Sequence, residues 1–184
     1  GASYLVARGD VRRELGDEAG ALADYEAALV RMPDLATALG RRGLVRRLRG
    51  DARGALADLD RAVALAPEVV WQLRERAEAR RLVGDVAGAR ADLDEVLRRA
   101  PDDAGAWNAR GVLRGRSGDP RGALADLEEA LRLNPSDGAA WNNRAGALLA
   151  LGDLEGSVAA AGRAIELDPG ASGPRRNRAM ALRQ

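Results

Sequence analysis

Residues 104–137 read AGAWNARGVLRGRSGDPRGALADLEEALRLNPSD, and variants of this 34-residue phrase follow one another along the whole chain. Its closing proline, Pro135, is one rung of a ladder, Pro33, Pro67, Pro101, Pro135 and Pro169, whose successive members are 34 residues apart. A fixed period of this size marks a repeat protein, in which each unit buries its apolar face only against the next. Counting back from the prolines gives units 2-35, 36-69, 70-103, 104-137 and 138-171, with a capping or partial unit over 172-184, and the reading takes 1-184 as a single repeat domain.

Inside each unit the strongest punctuation is a Gly-Asp pair: Gly16-Asp17, Gly50-Asp51, Gly84-Asp85, Gly118-Asp119 and Gly152-Asp153. Glycine closes one helix because its backbone accepts positive φ, and aspartate caps the next by accepting from free N–H groups at a positive dipole end. Pro120 suits the first position of that second helix. Each proline of the ladder then ends the second helix and turns the chain into the next unit. A second glycine column, at 20, 54, 88, 122 and 156, falls inside the second helix, where glycine costs about 1 kcal/mol against alanine. Close backbone approach is the expected reason. In the second helix of the fourth unit Ala123, Leu124, Leu127, Ala130 and Leu131 follow the three-and-four spacing of one buried face. The small column Gly9, Gly43, Ala77, Gly111, Ala145 and Ala179 is expected to let paired helices touch.

These residues resemble the tetratricopeptide repeat, whose unit carries a bulky residue, a small one four positions later, a helix-breaking glycine, an alanine followed by a large residue, and a final proline. The fourth unit supplies them as Trp107, Gly111, Gly118, Ala123, Leu127, Ala130 and Pro135. The resemblance covers nearly the whole chain and implies an all-α fold, a right-handed α-solenoid of helix-turn-helix repeats. It departs from the pattern late in the first helix, where an expected aromatic is replaced by Arg12, Arg46, Arg80 and Arg114, then by Leu148 and Leu182.

Composition removes most enzyme classes. The chain has no Cys and no His, so thiolate nucleophiles, imidazole bases and the usual zinc ligands are absent, and its 29 cationic residues are all arginine. Ser3, Ser117, Ser136, Ser157, Ser172 and a single Thr have no Lys or His to act as base. The expectation is therefore no enzyme, no cofactor and no metal. No apolar run reaches the roughly 18 residues of a membrane span, no signal peptide opens the chain, and a soluble, cytoplasmic domain excised from a longer protein is expected.

Charge carries the functional signal. The first helices hold twenty arginines against four acids, and the remaining segments nine arginines against twenty-four acids, although the net charge is only +1. In the family this chain resembles, first helices line a concave groove, so the resemblance implies a basic inner face and an acidic back. One arginine column (Arg8, Arg42, Arg76, Arg110, Arg144, Arg178) stands sixteen residues before Asp24, Asp58, Asp92 and Asp126, with Ala160 in the fifth unit. An internal, bidentate ion pair that fixes helix register is the preferred reading of this column. Arg144, lacking its aspartate, is then the member best placed for an outside contact. Residues expected to project into the groove are Arg13, Arg41, Arg47, Arg74, Arg81, Arg116 and Arg176, with Trp71, Asn108, Asn142 and Asn143 beside them; an aromatic among arginines is a common hot-spot composition, although a wedge between adjacent units is the preferred reading of Trp71. The carboxylate clamp of some chaperone-binding relatives is not reproduced: the relevant windows give Arg74, Glu78, Ala109, Ala139, Asn143 and Asn108, Val112, Asn143, Gly173, Asn177.

The leading expectation is a protein-binding scaffold that takes an acidic peptide or protein segment along an arginine-lined groove. Salt-sensitive self-association of a basic face on an acidic back is a second, structural reading, which makes a homo-oligomer one expected form. Binding of single-stranded RNA or another polyanion is weaker, because the groove is short of stacking aromatics and the back is acidic.

Overall fold

The computed structural model describes residues 1–183, and every regular element among them is an α-helix. The helices are α1 (Ala2–Glu14), α2 (Glu18–Arg31), α3 (Ala36–Leu48), α4 (Ala52–Leu65), α5 (Val70–Val83), α6 (Val86–Arg99), α7 (Ala104–Arg116), α8 (Pro120–Leu133), α9 (Gly138–Leu151), α10 (Leu154–Leu167) and α11 (Ser172–Ala181). The fold is all-α, a helical-repeat solenoid. The chain divides into two compact units, one from Gly1 to Val96 and one from Leu97 onward.

Turn chemistry sets these boundaries. Gly16, Gly50, Gly84, Gly118 and Gly152 hold φ between +81° and +89°, the left-handed conformation that an L side chain resists. The aspartates that follow each accept from the backbone N–H three residues on, at 2.8–2.9 Å. That donor is in every case the second glycine, and a Cβ built there would lie 2.0–2.3 Å from the capping carboxylate oxygen. The glycine is thus required by the cap itself, a side chain folded over the first turn, and the expected close backbone approach is not what the structure shows.

In the first unit α1 pairs with α2, and α3 with α4. Gly43 brings α3 onto α4: a Cβ there would come within 2.9 Å of Leu59 and 3.2 Å of the Ala55 carbonyl. Ala28, Leu29, Ala38, Leu39 and Ala62 form a core that joins successive hairpins. Each fully buried leucine of such a core stabilises by about 1.5–3 kcal/mol. In the second unit Gly111 meets Leu127 and the Ala123 carbonyl in the same way, and Ala130, Leu131 and Ala140 pack with Trp107 and Trp141. The two indoles donate to Pro101 O and Pro135 O at 2.8 and 2.9 Å, tying each first helix to the turn before it.

Candidate functional site

The spacing of sixteen between arginine and aspartate becomes a contact across each hairpin. Asp24, Asp58, Asp92 and Asp126 are buried, and each takes a bidentate pair from Arg8, Arg42, Arg76 or Arg110, with Nε to Oδ2 at 2.9 Å in every case. A second guanidinium reaches the same carboxylate: Arg12, Arg46, Arg80 and Arg114 lie 2.8–3.0 Å away. The arginine that replaces the family's aromatic therefore completes a three-member charge cluster. Arg8 and Arg12 hold the Asp24 carboxyl below its ordinary range against the opposing effect of burial. The fifth hairpin lacks the cluster: Ala160 and Leu148 pack with Ala145 and Ala161 instead, and Ser157 Oγ donates to Ala145 O at 2.9 Å. Arg144 there lies 3.4 Å from Glu128 and 5.7 Å from the Trp141 ring centre.

On the first unit, α1, α3 and α5 present a face whose charges answer one another. The Tyr25 hydroxyl donates to Asp10 at 2.8 Å, Arg41 lies 3.2 Å from the same carboxylate, and the Arg41 guanidinium stands 4.7 Å from the Trp71 ring centre. Burial first, and then Asp10, pushes the Tyr25 phenol above its usual range. Trp71 wedges against Gly40, where a Cβ would meet the indole at 2.8 Å, so the ring joins α3 to α5. Arg47 pairs with Glu75 at 2.8 Å, and Arg81 with Glu78 one turn before it on α5. Arg74 is exposed on the same helix.

The second unit is different. Between α7, α9 and α11 lies a groove of about 260 Å³ lined by Arg116, Asn142, Asn143, Arg176 and Asn177, together with the small residues Gly115, Gly146 and Ala150. Among the described residues no acid lines it. Asn143 donates to Asn108 Oδ1 at 2.9 Å, and Asn177 donates to Asn142 Oδ1 at 3.0 Å, two amide bridges with the same spacing of 35 residues. Arg116 and Arg176 are exposed and make no ion pair with any described residue.

Of the residues singled out from sequence, Arg116, Arg176, Asn142 and Asn143 meet in this groove and Asn108 bonds at its edge. Arg41, Arg47, Trp71 and Arg81 belong to the self-neutralised face of the first unit, and Arg144 does not line the groove. Sequence reasoning does not single out Asn177 or Gly146 as site residues. The signal was present: Asn177 follows Asn142 by one period plus one residue, as Asn143 follows Asn108, and Gly146 interrupts a column that is Asp10, Leu44, Glu78, Val112 and Met180 elsewhere. Among the described residues no cluster of metal-ligating side chains forms and no helix is long and apolar enough to cross a membrane.

A family model described as the tetratricopeptide repeat matches residues 6–69, 74–114 and 109–172. The chain belongs to the tetratricopeptide repeat family. Known structures of tetratricopeptide repeat (TPR) proteins share its fold at low identity. A thermophilic TPR protein of Thermus thermophilus is 24% identical, with all of both chains covered and a TM-score of 0.74. YrrB, a TPR protein with an unusual peptide-binding site, is 16% identical, with 95% of this chain and 90% of that one covered and a TM-score of 0.78. The first TPR of Spaghetti (RPAP3), bound to the HSP90 peptide SRMEEVD, is 21% identical over 62% of this chain and 90% of that one, with a TM-score of 0.61. No curated protein matches the chain in sequence.

Proposed function

We propose that this TPR chain is a non-catalytic adaptor that holds an acidic peptide or protein segment in the groove of its second unit. The observation that carries the reading is a groove with two arginines, Arg116 and Arg176, that have no ion-pair partner among the described residues, and with no carboxylate in its walls. Guanidinium groups in this setting pair bidentately with carboxylates. Three asparagines add donors and acceptors without charge. The family's habit of binding proteins supports the reading, as does the acidic peptide held by the Spaghetti TPR. The first-unit face, where Arg41, Arg47 and Arg81 already meet Asp10, Glu75 and Glu78, contributes less.

Calorimetry with an alternating Glu-Ser peptide, against its Gln-Ser counterpart, tests this. The acidic peptide binds, its affinity falls as salt rises, and charge reversal in an Arg116→Glu/Arg176→Glu double variant abolishes the interaction. Equal affinity for the two peptides, or indifference of the acidic one to both arginines, contradicts the proposal.

A further inference from the structure

Helix α11 carries the residues with which a first helix receives its second helix, and among the described residues nothing covers them. In earlier units the small column is sealed: Gly43 meets Leu59 and the Ala55 carbonyl, Gly111 meets Leu127 and the Ala123 carbonyl, and Ala145 packs with Leu148, Ala160 and Ala161. The last member of that column, Ala179, is exposed. Leu148 is 5% exposed, whereas its counterpart Leu182 is 68% exposed. Beside them an apolar groove of about 340 Å³ runs between α10 and α11, lined by Leu154, Val158, Ala159, Ala181 and Leu182, with Glu155 as its charged member.

Arg178 says what the cover must carry. From Arg42 to Arg144, each arginine of its column has an acid sixteen residues before it: Glu26, Asp60, Asp94 and Glu128. Asp60 lies 3.3 Å from Arg76, and Glu128 lies 3.4 Å from Arg144. Sixteen residues before Arg178 stands Gly162, where a Cβ would meet nothing within 4 Å, so packing does not require the glycine. Arg178 is exposed and makes no ion pair with any described residue. Where a second helix does cover this arginine column with an acid, it uses an Ala-x-x-Asp-Leu run, as in Ala55, Asp58 and Leu59 or Ala123, Asp126 and Leu127. A second copy of the chain has no such helix to offer. Its own Asp24, Asp58, Asp92 and Asp126 are buried in their hairpins, and its α11 would bring Arg175, Arg176 and Arg178 to a site that is already positive.

We infer that α10 and α11 form a second docking site, for an amphipathic helix of a partner protein that bears an Ala-x-x-Asp-Leu run. The partner helix lies where a second helix packs in the earlier hairpins. Its small residue approaches Ala179, its aspartate pairs bidentately with Arg178, and its apolar face covers Leu182 and Val158. The aspartate fixes register, and a helix with a cation at that place is rejected. The site stands apart from the groove between α7, α9 and α11 and does not depend on the function proposed for it.

The test presents the full chain with a fluorescein-labelled peptide of residues 119–134, the sequence of α8 with both its caps, which holds Ala123, Asp126 and Leu127. Anisotropy is expected to show binding, and circular dichroism a gain of helix over the sum of the parts, because a free peptide of this length is only marginally helical. Ala179→Leu and Arg178→Asp each weaken binding on the order of tenfold, the first by blocking close approach and the second by losing a charged hydrogen bond. Both positions are exposed, so the melting temperature stays unchanged. A peptide carrying Asp126→Arg recovers the affinity that Arg178→Asp loses. Ala179→Leu leaves binding of the Glu-Ser peptide as it was, so the two sites fail separately. Absence of binding or of helix gain, or indifference to Ala179→Leu and to the charge exchange, overturns the inference. A dimer of the chain alone that Ala179→Leu dissociates assigns the face to a second copy and overturns it as well.

Discussion

The capping aspartate and the glycine three residues after it behave as one device. Asp51 lies over Gly54 so closely that a methyl group there displaces the carboxylate from its hydrogen bond. Gly54→Ala therefore loses the cap, worth about 1 kcal/mol, while gaining a similar helix propensity of about 1 kcal/mol. The expected net change is small in the native chain, whereas in an Asp51→Ala background the same substitution is stabilising by up to that full gain. Urea unfolding of the four members of this cycle checks the coupling; additive effects contradict it. Asp24 supplies a second test at this scale. Its carboxyl is held below the ordinary value of 3.8, so its stabilisation is present above that pH and is lost as pH falls through the lower, folded-state value. The melting temperature of the native chain is thus expected to drop in acid more steeply than that of Asp24→Asn, and parallel curves contradict the assignment.

At the scale of the hairpin, one fold holds two solutions to the same position. Four hairpins bury an aspartate between two arginines, and the fifth replaces the cluster with Ala160 and Leu148. Asp58→Ala alone leaves Arg42 and Arg46 facing an empty site and is expected to cost about 3 kcal/mol. Adding Arg46→Leu copies the fifth hairpin and recovers most of that loss, read as the urea midpoint; a double variant no better than the single one contradicts the equivalence. These clusters also explain what was legible in the sequence. The prolines and Gly-Asp pairs fix helix bounds because they act through local backbone geometry, and the spacing of sixteen announces the buried pair because it recurs in phase with the fold. The second arginine column could not be resolved in the same way: whether Arg46 reaches Asp58 or solvent depends on the distance between helices, which spacing does not encode.

Across the chain, sorting charge by helix overstates the free positive charge. Arg41, Arg47 and Arg81 lie on first helices as expected, but their acids sit on first helices too: Asp10 on α1, and Glu75 and Glu78 on α5. A count of twenty arginines against four acids hides where those four are, and three of them neutralise one face. Arg116 and Arg176 keep their charge because the groove between α7, α9 and α11 has no acid in its walls. Asn177 was harder to recognise, since its part depends on a bridge to Asn142 that only the three-dimensional register reveals. For the molecule as a whole the expected consequence is a modest salt dependence of peptide binding, corresponding to two arginines rather than to the many that a uniformly basic face would engage. A steep dependence, measured by anisotropy over a salt series, contradicts it. The most direct measurement is a nitrogen–proton correlation spectrum recorded as the Glu-Ser peptide is added. The side-chain amide signals of Asn142, Asn143 and Asn177 and the backbone signal of Gly146 are predicted to shift together and saturate, while those around Arg41 and Trp71 stay in place. Shifts centred on Trp71 and its neighbours, or spread evenly over both units, contradict the account.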